Sequence, residues 1–320
     1  LAVLAALLVA PFARSAELTI AGPAGSGELP LDLSTDWSHP LPAVTRAVIV
    51  VHGAQRDAAA YLRYVEQAYT ATAEPAAATL LIAPHFPTTG DVTEHSLPAG
   101  TLRWAEAGWQ DGSPAIGPVS LSSFAALDAI LLQLADRSRF PALRRVVLAG
   151  HSAGGQLVQR YAVAGRGDAA LAAQGIKLRY LVANPSSYVW FGDARPQPVD
   201  RAACPSFDHW KYGLTEPPPY VGATDALEER YIARDVVYLL GQQDTDPDHQ
   251  RLDRSCAAEA QGANRYARGM QYLFSLELRH PNLVRHRLFS IPGVGHDASG
   301  MFGSVCGRAA LFDQPGCSGF

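Results

Sequence analysis

Residues 145–164, RVVLAGHSAGGQLVQRYAVA, pass from an apolar, β-branched run into a helix-like run across only five residues, GHSAG. A strand can turn into a helix that abruptly only where the residues at the join are small, because the two backbones must approach closely. Gly150 and Gly154 meet that demand and leave Ser152 at the apex. The strand side constrains the whole fold. An apolar run without polar alternation reads as a strand buried on both faces, and such strands belong to parallel sheets covered by helices.

Comparable runs recur at 47–51, 79–83, 178–183, 236–240 and 287–291, and a further strand is expected at 17–21. Between them the spacing predicts helices over 57–72, 122–137, 153–163 and 256–278. Such alternation argues for one doubly wound α/β domain over 17–320. With 48% hydrophobic and 18% charged residues, the chain has the apolar content for a large core. A net charge of −4 gives no drive toward nucleic acid or an anionic membrane. Two irregular insertions interrupt the rhythm, at about 84–118 and 188–229, and the second is long enough to form a lid or cap.

Residues 1–10 form an apolar run the length of an export-signal core, too short to span a bilayer, and Ala13-Arg14-Ser15 offers a small-x-small cleavage site. Residues 1–16 are therefore read as a removable signal peptide, and the mature protein as secreted or periplasmic with no membrane span. A buried first helix is the competing reading. Cys204, Cys256, Cys306 and Cys317 contain no CxxC pair, which argues against a zinc site. In an exported protein they admit three disulfide connectivities. In one of them Cys306–Cys317 closes a short loop and Cys204–Cys256 ties down a mid-chain excursion. In a cytosolic protein they would be buried thiols.

A serine hydroxyl becomes a nucleophile only when a base takes its proton. Among ten histidines, His296 lies in a glycine-rich loop, GVGHD, just after the last expected strand, where an imidazole can reach across to Ser152. His151 adjoins Ser152, but its side chain should diverge from it and contribute packing. His85, His209 and His249 fall in loops, whereas His280 and His286 read as solvent-facing. A carboxylate must hold the imidazole's tautomer. Asp244, directly after the strand at 236–240, is the first choice, and Asp246 is the alternative acid. Asp244, Asp246 and Asp248 also alternate as in a calcium loop. His249 and Ser255 then stand where such a loop needs Gly and Glu. The amide of Ala153, at a helix start, and that of Ala54, after the His52-Gly53 strand end, are the expected oxyanion donors.

Taken in order, VVHGAQ, GHSAG, GQQD and GVGHD resemble the α/β-hydrolase superfamily over residues 45–300. The resemblance implies a mostly parallel eight-stranded sheet with helices on both faces and places the missing strand near 30–37. It implies the triad Ser152, Asp244 and His296 with the oxyanion hole at Ala54 and Ala153, and no cofactor or metal. Ser152 stands where dehalogenases and epoxide hydrolases carry aspartate, and no HGGG motif is present. Within the superfamily, the HGAQR and GHSAGGQ segments are similar to secreted polyhydroxyalkanoate depolymerase-like esterases and poly(aspartic acid) hydrolases.

The expected activity is that of a secreted serine hydrolase acting on small or polymeric carboxylic esters, with Trp104, Trp109, Trp190 and Trp210 lining the substrate site. An amidase or peptidase acting on a polyanionic polymer is the alternative, with Arg103, Arg195, Arg201, Arg265 and Arg268 as carboxylate binders. A non-catalytic binding module is the third reading. No nucleic-acid partner is expected, and the oligomeric state has no sequence signal.

Overall fold

The computed structural model describes residues 14–281 and 285–319. Eight strands form one sheet: β1 (Arg14–Gly22), β2 (Gly25–Leu33), β3 (Arg46–Val51), β4 (Thr79–Pro84), β5 (Arg145–His151), β6 (Lys177–Ala183), β7 (Asp235–Gly241) and β8 (Arg287–Ile291). Their order is β1-β2-β4-β3-β5-β6-β7-β8. Only β2 runs against its neighbours; the other pairs are parallel. Ten helices are described: α1 (Ala58–Thr70), α2 (Thr89–Glu94), α3 (Ser123–Leu134), α4 (Ala153–Ala164), α5 (Asp168–Ala173), α6 (Leu227–Ile232), α7 (Cys256–Glu259), α8 (Arg265–Arg279), α9 (Ala298–Gly303) and α10 (Val305–Phe312).

Successive residues of a strand point to opposite faces. In β3, Ala47, Ile49 and Val51 join a core with α3, α4 and α8, whereas Val48 and Val50 join one with α1, α9 and α10. Burial on both sides is why the strands read as unbroken apolar runs. Strand β3 lies between β4 and β5, so the chain leaves it in opposite directions, opening a crevice at the strands' carboxyl ends. Among the described residues, no helix is long and apolar enough to cross a membrane.

The structure corrects two expectations, those for the first strands and for the helix over 256–278. The strands expected at 17–21 and near 30–37 are the two arms of one hairpin, β1 and β2, turning at Gly25 with φ +128°. Leu29, Leu31 and Leu33 alternate inward, and Trp37 lies beyond the strand in the core. Arg14, Ser15 and Ala16, read as the end of the signal peptide, pair in β1 with Leu33, Asp32 and Leu31. The rest of that segment, 1–13, lies outside the described residues. The single helix expected over 256–278 is two, α7 and α8. Gly262 breaks it at φ +142°, and the Asn264 side chain accepts from Ala267 N–H to start α8.

The described disulfides are Cys204–Cys256 and Cys306–Cys317. The first fastens the 188–229 segment to α7 over a small core of Phe207 and Ala257.

Candidate active site

Ser152 sits between β5 and α4 at φ 58° and ψ −122°. A non-glycine residue adopts that region at a cost of about 1–3 kcal/mol. The flanking glycines are required by contact. A Cβ on Gly150 would lie 2.3 Å from the Gly154 carbonyl oxygen, and one on Gly154 would lie 2.3 Å from that of Val51. The Ser152 N–H donates to Ala183 O at 2.9 Å, which pins the turn to the end of β6.

His296, after β8, reaches Ser152 Oγ with Nε2 at 2.9 Å, while its Nδ1 lies 2.7 Å from Asp244 Oδ2. The arrangement is a relay in which Nδ1–H donates to the carboxylate and Nε2 accepts from the serine. Asp244 is buried beyond β7, and the acid and histidine loops pack backbone to backbone. A Cβ on Gly241 would meet the Val294 and Gly295 oxygens at 2.6 Å, and Gln243 N–H donates to Val294 O at 2.9 Å. Asp246 is exposed and accepts from Asp248 N–H, so Asp244 rather than Asp246 meets His296. Among the described residues, no group of three or more His, Cys, Asp or Glu side chains could hold a metal ion.

Two residues that sequence reasoning did not place here hold the relay. Asn184, after β6, donates from Nδ2 to Gly295 O at 3.1 Å and accepts from Gly241 N–H at 2.8 Å, spanning both loops. Arg265, fully buried on α8, donates to Asp244 Oδ1 at 3.3 Å, to Ser186 Oγ at 2.9 Å and to His249 Nδ1 at 3.4 Å. Asp244 therefore has a cation on each side whenever His296 is protonated. His151 packs its ring 4.6 Å from that of His296 and meets Tyr61 Oη at 3.2 Å. Burial, and then the charges of His296 and Arg265, push its pKa well below the usual histidine value.

The amides of Ala54 and Ala153 border the Ser152 cleft, and neither has a hydrogen-bond partner among the described residues. The Ala54 turn is held by Arg56, at φ 59°, which donates to Ala54 O at 3.0 Å and pairs with Asp91 and Glu106. Burial opposes ionisation of Asp91, but hydrogen bonds from Arg56 and Thr88 outweigh it and hold its pKa at about 2. Behind the turn, His52 Nε2 accepts Phe86 N–H and Nδ1 donates to Gly53 O, both at 3.0 Å.

The cleft has a volume of ≈ 260 Å³, and Gln110, Gln156, Lys211, Arg251 and Asp253 bring polar groups to its wall. The expected tryptophan lining is not there. Trp104, Trp109 and Trp190 are 0%, 0% and 2% exposed and pack in the core. Trp210 is half-buried and donates from Nε1 to Asp111 O at 2.6 Å, joining the two irregular insertions. Nor do the five arginines face a substrate carboxylate. Arg195 and Arg201 pair with Asp208 and Asp193, and Arg103 packs against Gly117. Arg268 is buried on the Gly262, Ser186 and Asp253 carbonyls, and the carboxylate that Arg265 binds is Asp244. His286, expected in solvent, is buried between Tyr238 and Tyr231, and His280 is half-buried against Glu228. Of the loop histidines, His249 lies beside His296 with ring centres 5.2 Å apart, His85 packs against His52, and His209 pairs with Glu216.

Sheet order, crossing helices and a serine turn at the end of the central strand define the α/β-hydrolase fold. The chain superposes on poly(aspartic acid) hydrolase-1 from Sphingomonas sp. KT-1 with a TM-score of 0.66, at 20% identity, covering 94% of this chain and 99% of that one. It superposes on LpqC, a poly(3-hydroxybutyrate) depolymerase from Bordetella parapertussis, with a TM-score of 0.64, at 23% identity, covering 94% and 91%. Neither a protein-family model nor a curated protein sequence matches the chain.

Proposed function

We propose that this chain is a secreted or periplasmic serine hydrolase that cleaves carboxylic esters through an acyl-enzyme. One observation carries the reading: an unbroken Asp244–His296–Ser152 relay opens on a cleft bordered by two unpartnered amides. Ser152 Oγ attacks the ester carbonyl carbon while its proton passes to His296 Nε2. Negative charge gathers on the carbonyl oxygen, where the Ala54 and Ala153 amides stabilise it, each donor contributing on the order of 3 kcal/mol. The carbon–oxygen bond to the alcohol then breaks, and the alcohol leaves with the proton from His296. Water repeats the sequence on the acyl-serine, giving its proton to His296, and Ser152 recovers it as the carboxylic acid departs.

The name of one structural neighbour specifies a polyester and that of the other a polyamide, so acyl transfer is common to both. The two disulfides support the exported location, since such bonds persist in oxidising compartments. A fluorophosphonate probe tests the mechanism: native protein is expected to be labelled and Ser152→Ala is not. Labelling of Ser152→Ala, or none of native protein, overturns it. Ester and amide series compared by kcat/KM test the ester assignment, which fails if only amides turn over.

A further inference from the structure

The charges around the Ser152 cleft are unbalanced. Arg160 is fully buried on α4 and forms no ion pair among the described residues. Its guanidinium donates instead to Gln110 O at 3.0 Å, Gln156 Oε1 at 2.8 Å and Ser187 Oγ at 3.0 Å, and its Nε has no partner. Gln110 and Gln156 are themselves cleft wall, so a cation held only by neutral groups stands directly behind it. Lys211, from the 188–229 segment, adds a second. Its ammonium makes no hydrogen bond among the described residues, and its single ion pair, with Asp253, is long at 3.8 Å. Arg251 adds a third, exposed at the rim, with no side-chain partner among the described residues.

Two carboxylates lie in this neighbourhood, Asp253 in the cleft wall itself, and against the three cations they leave positive charge in excess. Asp253 accepts from Tyr212 Oη at 2.8 Å and from Ser255, and Asp111 accepts from Ser113 N–H and Oγ. Buried positive charge in excess of its counter-charges is costly unless an anion is supplied. Burial accordingly pulls the Lys211 pKa down, with Arg160 adding to the effect. The geometry points to a subsite, formed by Lys211 and Arg251 with Arg160 behind them, for a free carboxylate on the acyl portion of the substrate. The inference rests on the hydrolase reading and narrows it to hemiesters, or their polymers, in which a second carboxylate lies a few bonds from the scissile carbonyl. A cleft of ≈ 260 Å³ suits such a short polar acyl group better than a long alkyl chain.

The test compares monoethyl succinate with ethyl 4-methylpentanoate, in which an isopropyl group replaces the carboxylate. Native enzyme is expected to favour the hemiester in kcat/KM by about tenfold or more, as for a buried charged hydrogen bond. Lys211→Met is expected to reduce that ratio about tenfold, Lys211→Arg to retain most of it, and Arg251→Ala to lower it several-fold. If Lys211→Met does not fold, the exposed Arg251 variant and the native ratio carry the test. A native preference for the neutral ester, or equal losses on both substrates in the variants, overturns the subsite. Fluorophosphonate labelling separates the two failures: a labelled Ser152 without hemiester preference leaves the hydrolase standing and removes only the carboxylate site.

Discussion

The cation behind the acid should be visible in the rate of the reaction. Asp244 accepts from His296 on Oδ2 and from Arg265 on Oδ1, with both side chains of the ion pair almost wholly buried. Arg265 thereby fixes the carboxylate and, through it, the imidazole that faces Ser152 Oγ. Under the proposed mechanism, Arg265→Met leaves Oδ1 without its charged donor and lets the carboxylate turn, and a misplacement of about 1 Å costs about 100-fold in kcat. KM is expected to change little, because Arg265 does not line the cleft. Arg265→Lys keeps a charged donor and is expected to retain most of the rate. Arg265→Met should also be less stable by about 3–5 kcal/mol, the cost of breaking a buried pair from one side. Steady-state kinetics on an ester and urea unfolding of the same preparations separate the two effects. A kcat within about twofold of native in folded Arg265→Met would refute the positioning role and leave Arg265 as packing alone.

Buried neutral histidines set an acid limit on stability, and two of them lie away from the cleft wall. Burial lowers His286 to about 4, and burial with some repulsion from His85 lowers His52 to about 3. In the unfolded chain both take up a proton below about pH 6.5. Each therefore withdraws about 1.4 kcal/mol of stability per pH unit on acidification, beginning near 6.5 and levelling near 4 for His286 and near 3 for His52. Urea unfolding between pH 4 and 8 should show that slope, and His286→Gln should flatten it; an unchanged slope counts against the assignment. Removing Cys204–Cys256, which joins residues 52 apart in sequence, is expected to cost about 4 kcal/mol in thermal or urea unfolding. Hydrogen exchange should rise first in the segment around Phe207 and Lys211, and an increase spread evenly over the sheet would contradict that placement.

The parts of the site legible in the sequence are those with a local cause. Gly150 and Gly154 announce the serine turn because no other residue fits where the backbones touch. Asp244 follows a strand recognisable as an unbroken apolar run, and His296 a short one, RLFSI, that ends in a glycine-rich loop. Arg265, Asn184, Arg160 and Lys211 had no such signal. An arginine on an expected helix looks the same whether it faces solvent or a buried carboxylate, and only tertiary packing decides. The tryptophans failed for a related reason: composition shows that an aromatic falls in an insertion but not which way it points. The break at Gly262 was more accessible. Its Gly-Ala-Asn sequence carries a helix terminator and a helix cap, and helical periodicity on either side obscured both.

Ser152, Asp244 and His296 hang from strand ends in the middle of a core, where small changes are felt at once. The Lys211 wall has other moorings: the Trp210–Asp111 contact with the neighbouring insertion and a disulfide to α7. Loop replacements between these fastenings can therefore alter what enters the cleft without re-registering the sheet or moving Ser152. Substrate range is thus the part of this molecule most open to grafting, and an oxidising compartment is the condition for a graft to hold its shape.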